Sequence, residues 1–231
     1  MQFTSETSSL AVLGIGFVLG LQHAIEADHL AAVSTIVSEK RNLWTASIVG
    51  GLWGVGHTIS LFVVGALVIL LKLQISGTVE ARLEAIVGVM LVVLGLNALR
   101  KLFSTHVHAH VHQHGEREHV HFHTHGEGAV ESHHRFSPRS ILIGMVHGLA
   151  GSAALMFLIL QQISSPILGL LYILIFGLGS IGGMMAMSFI IGLPFHFTAN
   201  RFDVLNKGIR LCAGIFSLGL GSFIVFEKLA A

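Results

Sequence analysis

The sequence predicts an all-α integral membrane protein, with six transmembrane helices arranged as two inverted three-helix repeats and a disordered His-rich loop between the halves. Composition is the first of three observations behind this. Of 231 residues, 53% are hydrophobic and 11% charged, and the mean hydropathy is +0.79. A soluble domain carries about 25% charged residues. Second, six apolar stretches could each cross about 30 Å of hydrocarbon, which takes roughly 20 helical residues. Third, glycines recur between the halves: Gly16, Gly20 and Leu21 align with Gly144, Gly148 and Leu149, and Gly51, Gly88 and Gly95 with Gly177, Gly214 and Gly221. Three spans per half is an odd number, so such repeats would be inverted, an arrangement that builds substrate sites near the midplane.

The spans fall near 9–37, 45–71 and 80–103 in a first half (9–103), and near 139–162, 166–191 and 206–227 in a second (138–228). Polar breaks divide them. Ser38–Asn42 is a short turn, Leu71–Val79 carries Lys72 and Gln74, Ser164-Ser165-Pro166 is a tight uncharged turn, and Pro194–Asn206 is a longer link. Backbone polar groups in lipid must pair internally, which favours helices. A barrel would need alternating segments of about ten residues, and these are absent. The N-terminus has no Lys or Arg before the first span and includes Glu6. A cleavable signal wants a positive start, so the first span is expected to be a mature helix. Small-xxx-small pairs such as Gly16/Gly20, Gly50/Gly54 and Gly144/Gly148 let helices pack closely.

Residues 104–137 differ in kind. They hold eleven of the sixteen histidines, nine of them alternating: His106, His108, His110, His112 and His114, then His119, His121, His123 and His125. Too few large apolar residues are present to fill a core, so disorder is expected. The histidines suit metal capture, and an internal, alternating pattern is unlike a purification tag. Lys and Arg set the orientation. Ten lie on the side reached after spans one, three and five, and three on the other. The positive-inside rule puts the first side in the cytoplasm of a bacterial inner membrane, with the His loop inside and both termini outside.

Several function classes are excluded. No basic patch exceeds two adjacent residues, which argues against nucleic acid. One cysteine, Cys212, permits no internal disulfide, no cysteine metal cluster and no paired thiol relay. The His-Glu-x-x-His motif of an intramembrane metalloprotease is missing, and no other catalytic set stands out, so the chain is not expected to be an enzyme.

The chemistry concentrates at residues 23–29. His23, Glu26, Asp28 and His29 sit inside an apolar span, where each ionisable group costs roughly 2.5–3.5 kcal/mol on insertion scales. At about 100° per residue, Glu26 and His29 lie about 60° and about 120° to one side of His23, while Asp28 lies about 140° to the other. A straight helix cannot aim His23, Asp28 and His29 at one ion. Either the span is broken here, or Asp28 acts by orienting a ligating histidine. The next span adds His57, with Gly54 and Gly56 beside it. His147, one residue before Gly148, is a further candidate, as metal ligand or supporting residue, and so is Glu26. Imidazole with carboxylate suits Ni, Co, Zn and Cu(II); Mg²⁺ and Ca²⁺ prefer oxygen sites. A proton-coupled carrier of another substrate would also use such residues.

His23-x4-Asp28-His29 resembles the HX4DH signature of the nickel/cobalt transporter family. His57 in Gly-Val-Gly-His-Thr resembles that family's histidine motif on the following helix, and the segment from His147 to Ala154 is similar to its urease-accessory nickel permease subgroup. Glu26 departs from the family, whose members commonly carry Asp there. The resemblance implies transport of Ni²⁺, with Co²⁺ as a further substrate, with His23, Asp28, His29 and His57 as metal residues and no tightly bound cofactor. Uptake driven by membrane potential is the expected direction. A proton-coupled exporter, or a membrane metal sensor or chaperone, are the alternatives. The implied partners are the divalent ion, the bilayer and cytoplasmic metallochaperones.

Overall fold

The computed structural model describes residues 6–38, 40, 42–72, 76–104, 108–114, 117–123, 138–150, 163, 165–199 and 201–230. The first span is two helices, α1 (Glu6–His23) and α2 (Ala27–Val37), bent by 54° across residues 24–26. Then come α3 (Leu43–Leu71), α4 (Gly77–Phe103), strands β1 (His108–His114) and β2 (Arg117–His123), and helices α5 (Pro138–Ala150), α6 (Pro166–Thr198) and α7 (Asp203–Ala230). Among the described residues, α3, α4, α6 and α7 are long and apolar enough to cross a membrane, and α1 with α2 makes a fifth candidate. The chain is thus a multi-pass helical membrane protein.

Local sequence sets the helix ends. The Asn42 carboxamide oxygen caps α3, accepting from Trp44 N–H at 2.8 Å and Thr45 N–H at 3.3 Å. Lys72, with φ of 50°, closes that helix in the left-handed region. Ser165 caps α6, and Pro166 occupies its first turn.

Glycine decides how the helices meet. α4 lies against α7, α3 against α6, α1 against α6 and α5 against α3. A Cβ on Gly88 would meet the Gly221 carbonyl oxygen at 2.8 Å, and one on Gly95 the Gly214 oxygen at 2.8 Å. Backbones touch there, and any side chain would push them apart. Ser217 Oγ donates to Leu91 O at 2.9 Å across the same seam. Trp53, Met184, Val87 and Leu91 anchor the main buried cluster beside α2; Tyr172, Ile173 and Phe176 anchor a second beside α1.

Three sequence expectations need correction or qualification. The His-rich segment is not disordered throughout: β1 and β2 pair as an antiparallel hairpin. Its alternation of His with Val and Phe has the period of two that a strand requires. His106 and His125 lie outside the described residues. The fifth span does not end before Pro194 but runs to Thr198. Proline removes one backbone donor, and side chains tie down the turn beyond it: Thr198 Oγ1 donates to Pro194 O at 2.7 Å, and Asn206 Nδ2 to Phe195 O at 3.2 Å. The fourth span is described only as α5, and its remainder at 151–162 lies outside the described residues.

Candidate metal centre

The break in the first span is one of the two outcomes that the angular argument allows. α1 ends at His23, and the chain turns through Ile25 N–H to Gln22 O at 2.9 Å and Glu26 N–H to His23 O at 3.2 Å. Glu26, in extended conformation, then starts α2. The carbonyl end of α1, with its partial negative charge, thereby faces the gap. Asp28 in the first turn of α2 offsets the opposite, positive end.

The turn brings His23 and His29 together although their side chains diverge on a continuous helix. Their rings are 4.4 Å apart, centre to centre. His57 joins from the middle of α3, its Nε2 at 3.1 Å from His23 Nε2. Ligand atoms of His23, His29 and His57 all lie within 4.8 Å of one another, and all three residues are buried. Two nitrogens on one ion at about 2.0–2.1 Å stand about 2.9 Å apart in a square plane and about 3.4 Å in a tetrahedron. The spacing of 3.1 Å falls between these.

Carboxylates back two of the rings. Glu26 Oε1 is 3.0 Å from His23 Nδ1, and Asp28 Oδ1 is 3.0 Å from His29 Nδ1. A carboxylate only accepts, so in each pair Nδ1 carries the proton and Nε2 keeps its lone pair. This is how a histidine is prepared for a metal. His29 Nε2 and His57 Nδ1 have no hydrogen-bond partner, and both are buried. An unpaired polar atom in such a place costs free energy unless something binds there.

Asp28 does more than the sequence shows. Its Oδ1 also accepts from the His29 backbone N–H at 2.8 Å, and its Oδ2 lies 3.1 Å from His147 Nε2. It bridges α2 and α5 behind the three imidazoles, and with His29 and His147 forms a second group of three candidate ligands. Glycine brings α5 this close: a Cβ on Gly148 would meet the His57 Cα at 2.9 Å, and one on Gly144 would strike the Trp53 carbonyl.

Two walls escaped the sequence reasoning. The Trp53 ring lies 5.2 Å from His29 and 5.3 Å from His147, and Phe176 lies 5.4 Å from His23. Trp53 stands four residues before His57, one helical turn away, and that spacing was its available signal. Phe176 had none. Glu84 pairs with Lys228 at 2.7 Å between α4 and α7.

The family model described as the transmembrane region of cytochrome C biogenesis proteins matches residues 11–221. The chain belongs to this family. It is also 40% identical over 218 residues to urease accessory protein UreH of Bacillus sp. (strain TB-90), covering 94% of this chain and 92% of that protein. Two Arabidopsis thaliana proteins, chloroplast proteins FOR GROWTH AND FERTILITY 1 and 2, are 24% and 25% identical over 98% and 96% of this chain, which spans 62% and 58% of their lengths. No solved structure matches the chain significantly. Neither the family description nor the UreH name denotes an enzyme.

Proposed function

We propose that the chain is a permease for Ni²⁺, with Co²⁺ as a second substrate, and that it works in uptake. One observation carries the reading: buried His23, His29 and His57 converge at the break of a membrane span, with carboxylates behind two of them. Such a set suits a borderline divalent ion, and a broken helix at the bundle centre is a transporter's way of exposing ligands. Asp28 serves as the orienter of His29 and His147, and Glu26 as that of His23. The urease accessory relative points to nickel, as does the resemblance of His23, Asp28, His29 and His57 to the nickel/cobalt transporter motifs.

An architecture of two inverted three-helix halves fits the contacts. Exchanging Gly88 with Gly214 and Gly95 with Gly221 turns one observed contact, Gly88 with Gly221, into the other, Gly95 with Gly214. The first span packs on α6, and α5 packs on α3, which is the same relation with the halves exchanged. In this reading both termini face outward, and the His-rich segment faces the cytoplasm, where it receives metal and passes it to metallochaperones.

Energetics favour uptake. One charge moved through 100 mV is worth about 2.3 kcal/mol. A divalent ion therefore gains about 4.6 kcal/mol, a roughly 2,000-fold accumulation, with no partner ion. Export would need coupling. Ni²⁺ flux into proteoliposomes at a set potential tests this, with Co²⁺ and Zn²⁺ as competitors. Accumulation should follow the potential and disappear in His57→Ala. Equal flux in that variant, or flux indifferent to potential, refutes the proposal.

A further inference from the structure

Buried hydroxyls in this protein fall into two groups. Thr35, Ser38, Ser47, Ser60, Thr198 and Ser217 each donate to a backbone carbonyl at 2.7–3.1 Å. That is the ordinary way to satisfy a hydroxyl inside an apolar helix bundle. Tyr172, Ser180 and Ser188 differ. Among the described residues their hydroxyls have no hydrogen-bond partner, and all three residues are fully buried. All three belong to α6, and each stands eight residues from the next. A buried polar atom without a partner is costly, and three on one helix call for something that binds them.

Residues 172, 176, 180, 184 and 188 follow one slowly winding stripe of the helix, and Phe176 and Met184 within it are buried too. The stripe meets α1 and α3 at glycines. A Cβ on Gly16 would lie 2.7 Å from the Tyr172 ring, one on Gly20 would lie 2.9 Å from the Ser180 nitrogen, and one on Gly50 would strike Ser188 Oγ. The metal centre sits part-way along. Phe176 lies 5.4 Å from His23, and Thr58, next to His57, donates to Gly177 O at 3.2 Å. Tyr172 is thus about one turn to one side of the centre, and Ser180 and Ser188 about one and three turns to the other. From Tyr172 to Ser188 the stripe runs about 24 Å, most of the roughly 30 Å of hydrocarbon. We propose that Tyr172, Ser180 and Ser188 line the route by which a hydrated divalent cation reaches and leaves the centre, along the face of α6 that meets α1 and α3. A hydroxyl both donates and accepts, so it can bind the ion's waters or lend it an oxygen. Being neutral, it holds the ion weakly enough to let it pass on, as a permeation route requires. This deepens the transport reading and rests on it for the identity of the cargo.

Tyr172→Phe, Ser180→Ala and Ser188→Ala each remove a hydroxyl and keep the rest of the side chain. In full-length protein in proteoliposomes, loss of one neutral hydrogen bond on the route should slow initial Ni²⁺ flux roughly two- to tenfold. The melting temperature in detergent should hold or rise, because each change takes away an unpaired buried atom. Ser217→Ala is the opposite case. It loses the bond to Leu91 O on the α4–α7 seam, so it should melt lower and keep the parental flux. Parental flux in Ser180→Ala and Ser188→Ala, slowing that comes with a lower melting temperature, or equal slowing in Ser217→Ala overturns the proposal. A second measurement reads the route without transport. In a Cys212→Ser background, a small cationic methanethiosulfonate should label Ser188→Cys, and added Ni²⁺ should slow the labelling, while Ser217→Cys stays unlabelled. An unlabelled Ser188→Cys overturns the proposal even where the parent carries Ni²⁺. A parent that carries none, with Ser188→Cys labelled, defeats the permease reading and leaves the cation's access along α6 standing.

Discussion

Asp28→Asn isolates the residue on which the centre is hung. The carboxylate holds His29 Nδ1 at 3.0 Å through one oxygen and His147 Nε2 at 3.1 Å through the other. An amide of the same shape keeps one oxygen acceptor but presents an NH₂ group in place of the other oxygen. A hydrogen bond to a charged group contributes about 1.5–3 kcal/mol and a neutral one about 0.5–1.5 kcal/mol. With the oxygen kept on His29 and the NH₂ donating to His147 Nε2 in that ring's other tautomer, both bonds become neutral, and the loss is about 1.2 kcal/mol per ring, or about 2.4 kcal/mol for both. At 1.4 kcal/mol per tenfold that is a roughly 50-fold weaker site, inside the 10- to 100-fold range typical of residues that orient a metal-bound histidine. Initial rates of ⁶³Ni²⁺ uptake against concentration, at matched protein levels in the membrane, give the change in KM. A KM within threefold of the parent would refute the bridging role. Loss beyond about 1,000-fold would also refute it, because it would make Asp28 a ligand in its own right.

Three further outcomes follow from the same geometry. Glu26→Gln should raise KM by about tenfold or less, the low end of the supporting-residue range, because Glu26 holds a single ring and its side chain is 33% exposed against 18% for Asp28; an effect larger than that of Asp28→Asn would reverse the assignment. Gly148→Ala places a Cβ at 2.9 Å from the His57 Cα, so α5 must retreat, at about 1–3 kcal/mol. Its melting temperature in detergent should fall, and a parental value would show that the α3–α5 contact is loose. Cys212→Ser should transport Ni²⁺ at the parental rate under oxidising and reducing conditions alike, since the lone cysteine is exposed; a variant with altered flux would reinstate thiol chemistry.

Residues close in sequence made part of the centre legible. His23, Asp28 and His29 could not share an ion on one straight helix, and that conflict left a broken span or an orienting Asp28; the structure has both, with the break at 24–26. The glycines beside His57 and His147 marked close helix approach, and those approaches bring both rings in. What stayed hidden depends on distant pairings. Asp28 meets His147 across 119 residues, and spacing along a chain says nothing about such a contact. The hairpin was misjudged for a different reason. Low apolar content correctly denies residues 104–137 a core, but a two-stranded ladder needs only alternation and a connection, and both were present. Pro194 opens a link in the sequence, and the bonds from Thr198 and Asn206 that accompany α6 past it lie beyond any local rule.

The family match covers a membrane region, and the chemistry lies in the side chains placed on it. Thiol–disulfide exchange proceeds by attack of one sulfur on another, so a relay within the membrane needs at least two cysteines. This chain has one, exposed on α7. What it shares over residues 11–221 is therefore a scaffold. That scaffold here consists of glycine seams that seat α4 on α7 and α5 on α3, and of a first span bent by 54° beneath them. A gap of this kind presents whatever side chains flank it to the middle of the bundle. With His23, Glu26, Asp28 and His29 at the gap and His57 across from it, the groups presented are buried nitrogens backed by carboxylates, a donor set that suits a borderline divalent cation and offers no thiol pair. On the proposed reading, the few residues at the break set the cargo, because imidazole with carboxylate selects a borderline divalent ion.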